Sequence, residues 1–150
     1  MRFGIEPQSG APARDMSLFT SKPPFGQYRV VVSDDDPAVR RALHLLLKGR
    51  GYDVCGYTSG RALLGDPRTL DADCIILDYR MPDLDGFYIL QALRQQGWTG
   101  RAILISGFHD LVLAHRAYEV GFDDVIPKPI IGRAIVDAVR RYSAQAGFGR

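Results

Sequence analysis

Five short apolar runs, separated by stretches of helical period, constrain this chain more than any other feature. The runs are Arg29–Ser33, Asp53–Tyr57, Cys74–Leu77, Ala102–Ser106 and Asp124–Pro127. Between them, apolar spacing predicts helices over Pro37–Lys48, Ser59–Gly65, Phe87–Gln96 and Asp110–Val120, with a fifth over Ile130–Tyr142. Pro37 suits a first helical turn, where its missing N–H costs nothing, and Asp35 or Asp36 is placed to cap that turn. Val39, Leu43, Leu46 and Leu47 then share one helix face. Five β-then-α units of this size give a doubly wound parallel sheet with helices on both faces. Runs such as "VVV" and "CIIL" are apolar on both sides, as a sheet buried on both faces requires. Right-handed crossovers and one reversal of winding leave few strand orders, of which 2-1-3-4-5 is expected. Pro127 supports it: a residue without an N–H is tolerated at a sheet edge, and this order makes the fifth strand an edge. The order also sets the first strand between Cys55 and Cys74, about two strand spacings apart. A disulfide needs Cα atoms within about 7 Å, so both are expected as free thiols.

A length of 150 residues is one domain, able to bury a core without disulfides or metal staples. The net charge of +2 makes no case for direct nucleic acid or membrane binding. No apolar run approaches the ~20 residues of a membrane span. No apolar segment follows Met1 and Arg2, so a signal peptide is not expected and a cytoplasmic location is. Residues 1–27 carry Gly, Pro and Ser without periodicity and are expected to form a poorly ordered arm. The domain then spans 28–143, with 144–150 as a tail. "SAQAGFGR" after Tyr142 is too short for a DNA-binding unit. A stand-alone unit is expected; the alternative is a piece of a longer chain.

In a doubly wound sheet, ligands bind beyond the carboxyl ends of the strands where the winding reverses, here between the first and third strands. The first strand delivers Asp34 and Asp35 to that rim, the third Asp78, the fourth Ser106 and the fifth Lys128. Adjacent carboxylates repel: two charges about 4 Å apart cost about 4 kcal/mol at an effective dielectric of 20. Alone, Asp34 and Asp35 read as a solvated capping turn, Ser106 as a strand-end hydrogen bonder and Lys128 as a surface lysine. Their convergence from four strands is what favours a binding pocket. His44, His109 and His115 do not form a ligand set, being spread over a helix and a separate pair.

"VVVSDDDP", "ILDYRMPDLDG", "ILISG" and "IPKP", in this order and spacing, resemble the receiver domain of two-component response regulators. The resemblance runs from about Gln27 to Tyr142 and implies the flavodoxin-like (βα)5 receiver fold with the same strand order. It implies that Asp78 accepts a phosphoryl group as an acyl phosphate. It also implies Mg²⁺, held directly by Asp35, Asp78 and the backbone carbonyl of Arg80, with Asp34 acting mainly through water. Asp36 is left as a capping residue. Lys128 and Ser106 would meet the phosphoryl oxygens, Gly107 would leave the pocket mouth open, and the Lys128–Pro129 peptide would be cis. Gly86 would supply the backbone freedom for the loop to enter the third helix, with Asp83 and Asp85 shaping the turn after Met81 and Pro82. The implied partners are a histidine kinase or histidine phosphotransfer protein, docking at Ala38, Ala42 and Leu45 of the first helix, and an unknown downstream protein. No enzyme activity is expected beyond the chain's own phosphorylation and dephosphorylation.

Two positions bear on the switch and on the pocket mouth. In the family an aromatic residue three before the lysine turns when the fourth-strand hydroxyl moves inward; here that position is Val125, stiff and without a ring. Arg80 places a long cation near the mouth, suited either to shielding the acyl phosphate or to binding it. Beside a receiver cut from a longer DNA-binding regulator, three rival readings stand. An aspartyl-phosphate phosphatase would use Asp34 and Asp36 as its paired acids, without a substrate-binding insertion. A flavin or nucleotide module would need glycines or hydroxyls where three aspartates stand. A receiver-like domain that never accepts phosphate is kept alive by Val125 and opposed by Asp35, Asp78, Ser106 and Lys128.

Overall fold

All five apolar runs become parallel strands in the computed structural model, which describes residues 26–107 and 111–148. They are β1 (Arg29–Ser33), β2 (Asp53–Tyr57), β3 (Cys74–Asp78), β4 (Arg101–Ser106) and β5 (Asp124–Pro127). The helices are α1 (Pro37–Lys48), α2 (Gly60–Gly65), α3 (Gly86–Gln95), α4 (Leu111–Val120) and α5 (Gly132–Gln145). The sheet order is β2-β1-β3-β4-β5, as expected, and β5 is an edge.

Register places the rim. Ser33 pairs with Leu77, so Asp34 and Asp78 are the next residues on neighbouring strands. Asp78 pairs with Ile105 and Ser106 with Pro127, so Ser106 and Lys128 follow in step. Side-chain alternation divides the core between the two sheet faces. Val31, Ile75, Leu77 and Leu104 pack with Leu63, Leu90 and Leu93 of α2 and α3. Val30, Val32, Ile76 and Ile103 pack with Leu43 and Leu47 of α1 and Ile135 and Val139 of α5. Cys55 belongs to the first cluster and Cys74 to the second; both are free thiols with β1 between their strands.

The structure moves several boundaries. α5 starts at Gly132, because Ile131 is still extended, with φ −93° and ψ 115°. It ends later than Tyr142 because Tyr142 and Ser143 are both buried. Its stop is Gly147 at φ 89°: the Gly147 N–H donates to the Ala144 carbonyl and the Phe148 N–H to that of Ser143, a glycine-terminated cap. A 3₁₀ turn over Pro67–Asp71, absent from the sequence reading, follows α2. Asp66 starts it, accepting the Arg68 N–H at 3.0 Å and the buried Tyr57 hydroxyl at 2.7 Å. Residues 1–25 of the expected arm lie outside the described residues, as do Asp110, His109 and 149–150 of the tail. The Gln27 side chain donates to the Gly51 carbonyl at 2.7 Å, and the Phe148 ring meets the edge of Tyr28 at 5.3 Å. No helix among the described residues is long and apolar enough to cross a membrane.

Candidate functional site

Asp34, Asp35 and Asp78 each bring one carboxylate oxygen to the rim, all within 4.8 Å of one another. Among the described residues this is the one group of three or more acidic, histidine or cysteine side chains so placed. Asp34 and Asp78 are buried, whereas Asp35 is exposed. One Asp78 oxygen, Oδ1, accepts the Arg80 backbone N–H at 3.2 Å, and the other, Oδ2, accepts from Lys128 Nζ at 3.0 Å. Asp34 Oδ1 accepts the Asp36 N–H at 2.9 Å. Its Oδ2 is buried without a hydrogen-bond donor; Lys128 Nζ approaches to 3.6 Å, an ion-pair distance too long for a good hydrogen bond.

Burial is the main cause that raises the Asp34 carboxyl above the usual carboxylate range; the charges of Asp78 and Asp35 add to it, while the Asp36 N–H and Lys128 oppose it. Burial pulls the Lys128 ammonium down, but its hydrogen bond to Asp78 and the Asp34 charge outweigh that, and it ends raised. Three carboxylates facing one ammonium leave the rim anionic. An all-oxygen donor set, with one buried oxygen lacking a donor, fits a hard divalent cation such as Mg²⁺.

The remaining sequence candidates fall at or around this rim. Ser106 is buried at the end of β4, and its carbonyl accepts the Lys128 N–H at 2.7 Å. The Lys128–Pro129 peptide is cis. Gly107 is exposed, with open space where a Cβ would stand. Arg80 is exposed beside Asp78. Val125 is half-buried against the core cluster of the α2–α3 face. Asp36 is apart from the acidic group, capping α1 by accepting the Ala38 N–H at 2.9 Å. His44 is half-buried on α1, and His115 is exposed and pairs with Glu119 at 3.2 Å. Ala38 and Ala42 line a groove of about 410 Å³ between α1 and residues 128–132; Leu45, 56% exposed, is not part of that lining. Val39 and Leu46, expected on one helix face with Leu43 and Leu47, are half-buried and form part of the same wall.

Gly86 has a role different from the one expected. It is the first residue of α3, and its φ is not positive. A Cβ there would lie 2.9 Å from Leu104 Cδ1 and 3.3 Å from the Asp78 carbonyl oxygen. The glycine provides clearance beneath the acidic strand end, not conformational freedom.

Three supports of the site were not foreseen. Asp83 holds the loop after Asp78 to the start of α2, accepting the Gly60 N–H at 3.2 Å and the Arg61 N–H at 2.8 Å. The Ser33 hydroxyl donates to Met81 Sδ at 3.3 Å, tying the end of β1 to the same loop. Arg40 Nη1 donates to the Asp34 carbonyl at 2.7 Å. These contacts cross 23, 22, 48 and 6 residues of sequence respectively, and only the last left a local trace, a cation in the first turn of a helix.

The sequence model of the response regulator receiver domain matches residues 30–140. The chain belongs to this family. The receiver domain is 40% identical over 111 residues to the transcriptional regulatory protein FixJ of Azorhizobium caulinodans, covering 74% of this chain and 53% of FixJ. It is 36% identical over 108 residues to the tetrathionate response regulatory protein TtrR of Salmonella typhimurium, covering 72% and 52%. The chain thus spans about half the length of these curated relatives. Among solved structures, FixJ-N matches the receiver domain with a TM-score of 0.69 at 31% identity, over 78% of this chain and 94% of that one. The Francisella response regulator 1452 receiver domain matches with a TM-score of 0.74 at 25% identity, over 79% and 98%.

Proposed function

We propose that this receiver domain is a Mg²⁺-dependent phosphoacceptor switch, with Asp78 as the acceptor. The observation that carries the reading is the rim itself: three carboxylates within 4.8 Å of one another, and Lys128 Nζ 3.0 Å from Asp78. An Asp78 carboxylate oxygen attacks the phosphorus of a phosphohistidine; the O–P bond forms, the P–N bond breaks, and the imidazole leaves with the electron pair. Mg²⁺ would supply positive charge that offsets the acidic rim and the incoming phosphoryl group. Asp35, Asp78 and the Arg80 carbonyl would hold it, with Asp34 acting mainly through water. Lys128 stays charged at neutral pH and stabilises the negative charge on a phosphoryl oxygen, and the Ser106 hydroxyl donates to another. The donor is a histidine kinase or histidine phosphotransfer protein, whose helices lie against Ala38 and Ala42, with Leu45 at the edge of the contact. Output passes to a downstream protein by direct contact, with no nucleic acid or membrane bound. The functional unit spans 28–143, works in the cytoplasm and turns over no external substrate. Capping by Asp36 argues against the phosphatase reading, since that carboxylate is committed to the Ala38 N–H.

Incubation with acetyl phosphate and Mg²⁺ tests the reading by phosphate-affinity electrophoresis. A retarded band is expected in the parent, lost in Asp78→Asn and on chelation of the metal. A parent protein that never shifts rules the proposal out.

A further inference from the structure

Arg40 and Gly56 are both poor local choices, and a single contact accounts for the two. Arg40 is the fourth residue of α1, where a cation opposes the positive end of the helix dipole. Gly56 lies inside β2, where glycine weakens a strand and marks a place another group approaches closely. In the fold the Arg40 stem crosses β2 at Gly56: a Cβ there would stand 3.2 Å from Arg40 Cγ and 3.3 Å from Cδ. From that crossing the guanidinium turns back over the start of α1, as helical side chains lean, and Nη1 donates to the Asp34 carbonyl at 2.7 Å. Breaches of local preference that one long-range contact explains are the expected mark of a functional support.

We propose that Arg40 is a positioning residue for the acidic rim, and that Gly56 exists to give it passage. The Asp34 side chain has one hydrogen bond, from the Asp36 N–H, and a second oxygen that meets Lys128 Nζ only at an ion-pair distance of 3.6 Å. The peptide joining Asp34 to Asp35 therefore takes its orientation from its carbonyl end, where Arg40 holds it. Fixing that peptide sets where both carboxylates stand before a cation arrives. The Arg40 hydrogen bond goes to the Asp34 backbone carbonyl and not to a carboxylate of the rim.

The inference rests on the Mg²⁺-binding reading above. Its test is a Mg²⁺ titration of the full chain followed by the amide resonances of Asp35 and Asp78, with Arg40→Ala and Gly56→Val beside the parent. Arg40→Ala is expected to weaken Mg²⁺ binding about 10-fold, the scale for groups that act through a ligand. Gly56→Val leaves every charge in place, and its melting temperature, measured beside the parent's, separates loss of passage for Arg40 from loss of fold. It is expected to weaken binding in the same direction by filling the space of the Arg40 stem. Without metal, Arg40→Ala should move the Asp35 and Asp36 amides and leave those of β4 in place. Binding within twofold of the parent in both variants overturns the inference. A parent that binds no Mg²⁺ overturns the proposed function instead, and unmoved metal-free Asp35 and Asp36 amides in Arg40→Ala would then overturn the inference separately.

Discussion

Burial leaves Asp34 with one oxygen on the Asp36 N–H and the other 3.6 Å from a lysine that is already bonded to Asp78. At an effective dielectric of 20, unit charges at such separations interact by about 4 kcal/mol. One shared attraction therefore opposes repulsion from Asp78 and a weaker, solvent-screened one from Asp35. The residue is held in this state by the fold around it and does not itself stabilise the fold. Asp34→Asn is accordingly expected to make the metal-free protein more stable, by on the order of 2 kcal/mol, as when a strained buried charge gives way to a neutral isostere. The same change should weaken Mg²⁺ binding. Urea unfolding with and without Mg²⁺ measures both effects. A variant less stable than the parent in the absence of metal would show that Lys128 already compensates the rim.

At the scale of elements, the link between α2 and β3 depends on one carboxylate. Asp66 caps the 3₁₀ turn over Pro67–Asp71, accepts the Tyr57 hydroxyl at 2.7 Å and pairs with Arg68 Nη2 at 3.0 Å. Burial pushes its carboxyl up, but the bonds from Arg68 and Tyr57 win and hold it below the ordinary value of 3.8. A depressed folded-state value means stability that is present above the unfolded value and lost as pH falls through the folded one. Asp66→Asn is expected to cost about 2 kcal/mol at pH 7, the scale of hydrogen bonds to a charged acceptor. The gap between variant and parent should narrow as pH drops below about 4. Thermal unfolding from pH 7 to pH 3 reads this; a gap that stays constant would mean the charge contributes nothing. The turn was invisible in the sequence because "DPRTLD" has no apolar period, and its anchor, Tyr57, belongs to the preceding strand. The strands, by contrast, were legible because both sheet faces are buried, which makes each run apolar throughout. Helix ends were harder. The last turn of α5 is polar, and its stop is a glycine two residues beyond the helix. The rim residues could be read because each stands at, or within two residues of, the end of an apolar run. Asp83, Met81 and Gly86 could not, since their work lies in contacts with other elements.

For the whole molecule, the proposed phosphorylation of Asp78 would signal at a distance only through an element with two arrangements. The rim is tied to β4 from both sides: the Tyr79 N–H donates to the Ile105 carbonyl at 2.8 Å and the Lys128 N–H to that of Ser106 at 2.7 Å. Movement at Asp78 or Lys128 therefore acts first on the end of β4. Val125 is a poor second stage. It pairs with Leu104, is half-buried against the core, and has one stiff side-chain torsion with no ring to exchange between pocket and solvent. α4 is better suited. Ala117 alone of its ten residues is buried and Leu113 and Val120 pack half-buried against the core, while Leu111 and Val112 are 88% and 68% exposed, so the start of the helix is lightly held. Beryllofluoride with Mg²⁺, an analogue of the phosphorylated state, should shift the amides of residues 104–107 and 111–120. The Val125 methyl couplings that report its torsion should stay as they were. Should Val125 change rotamer while the α4 amides hold still, the route runs through β5 after all, and the missing ring is no obstacle to it.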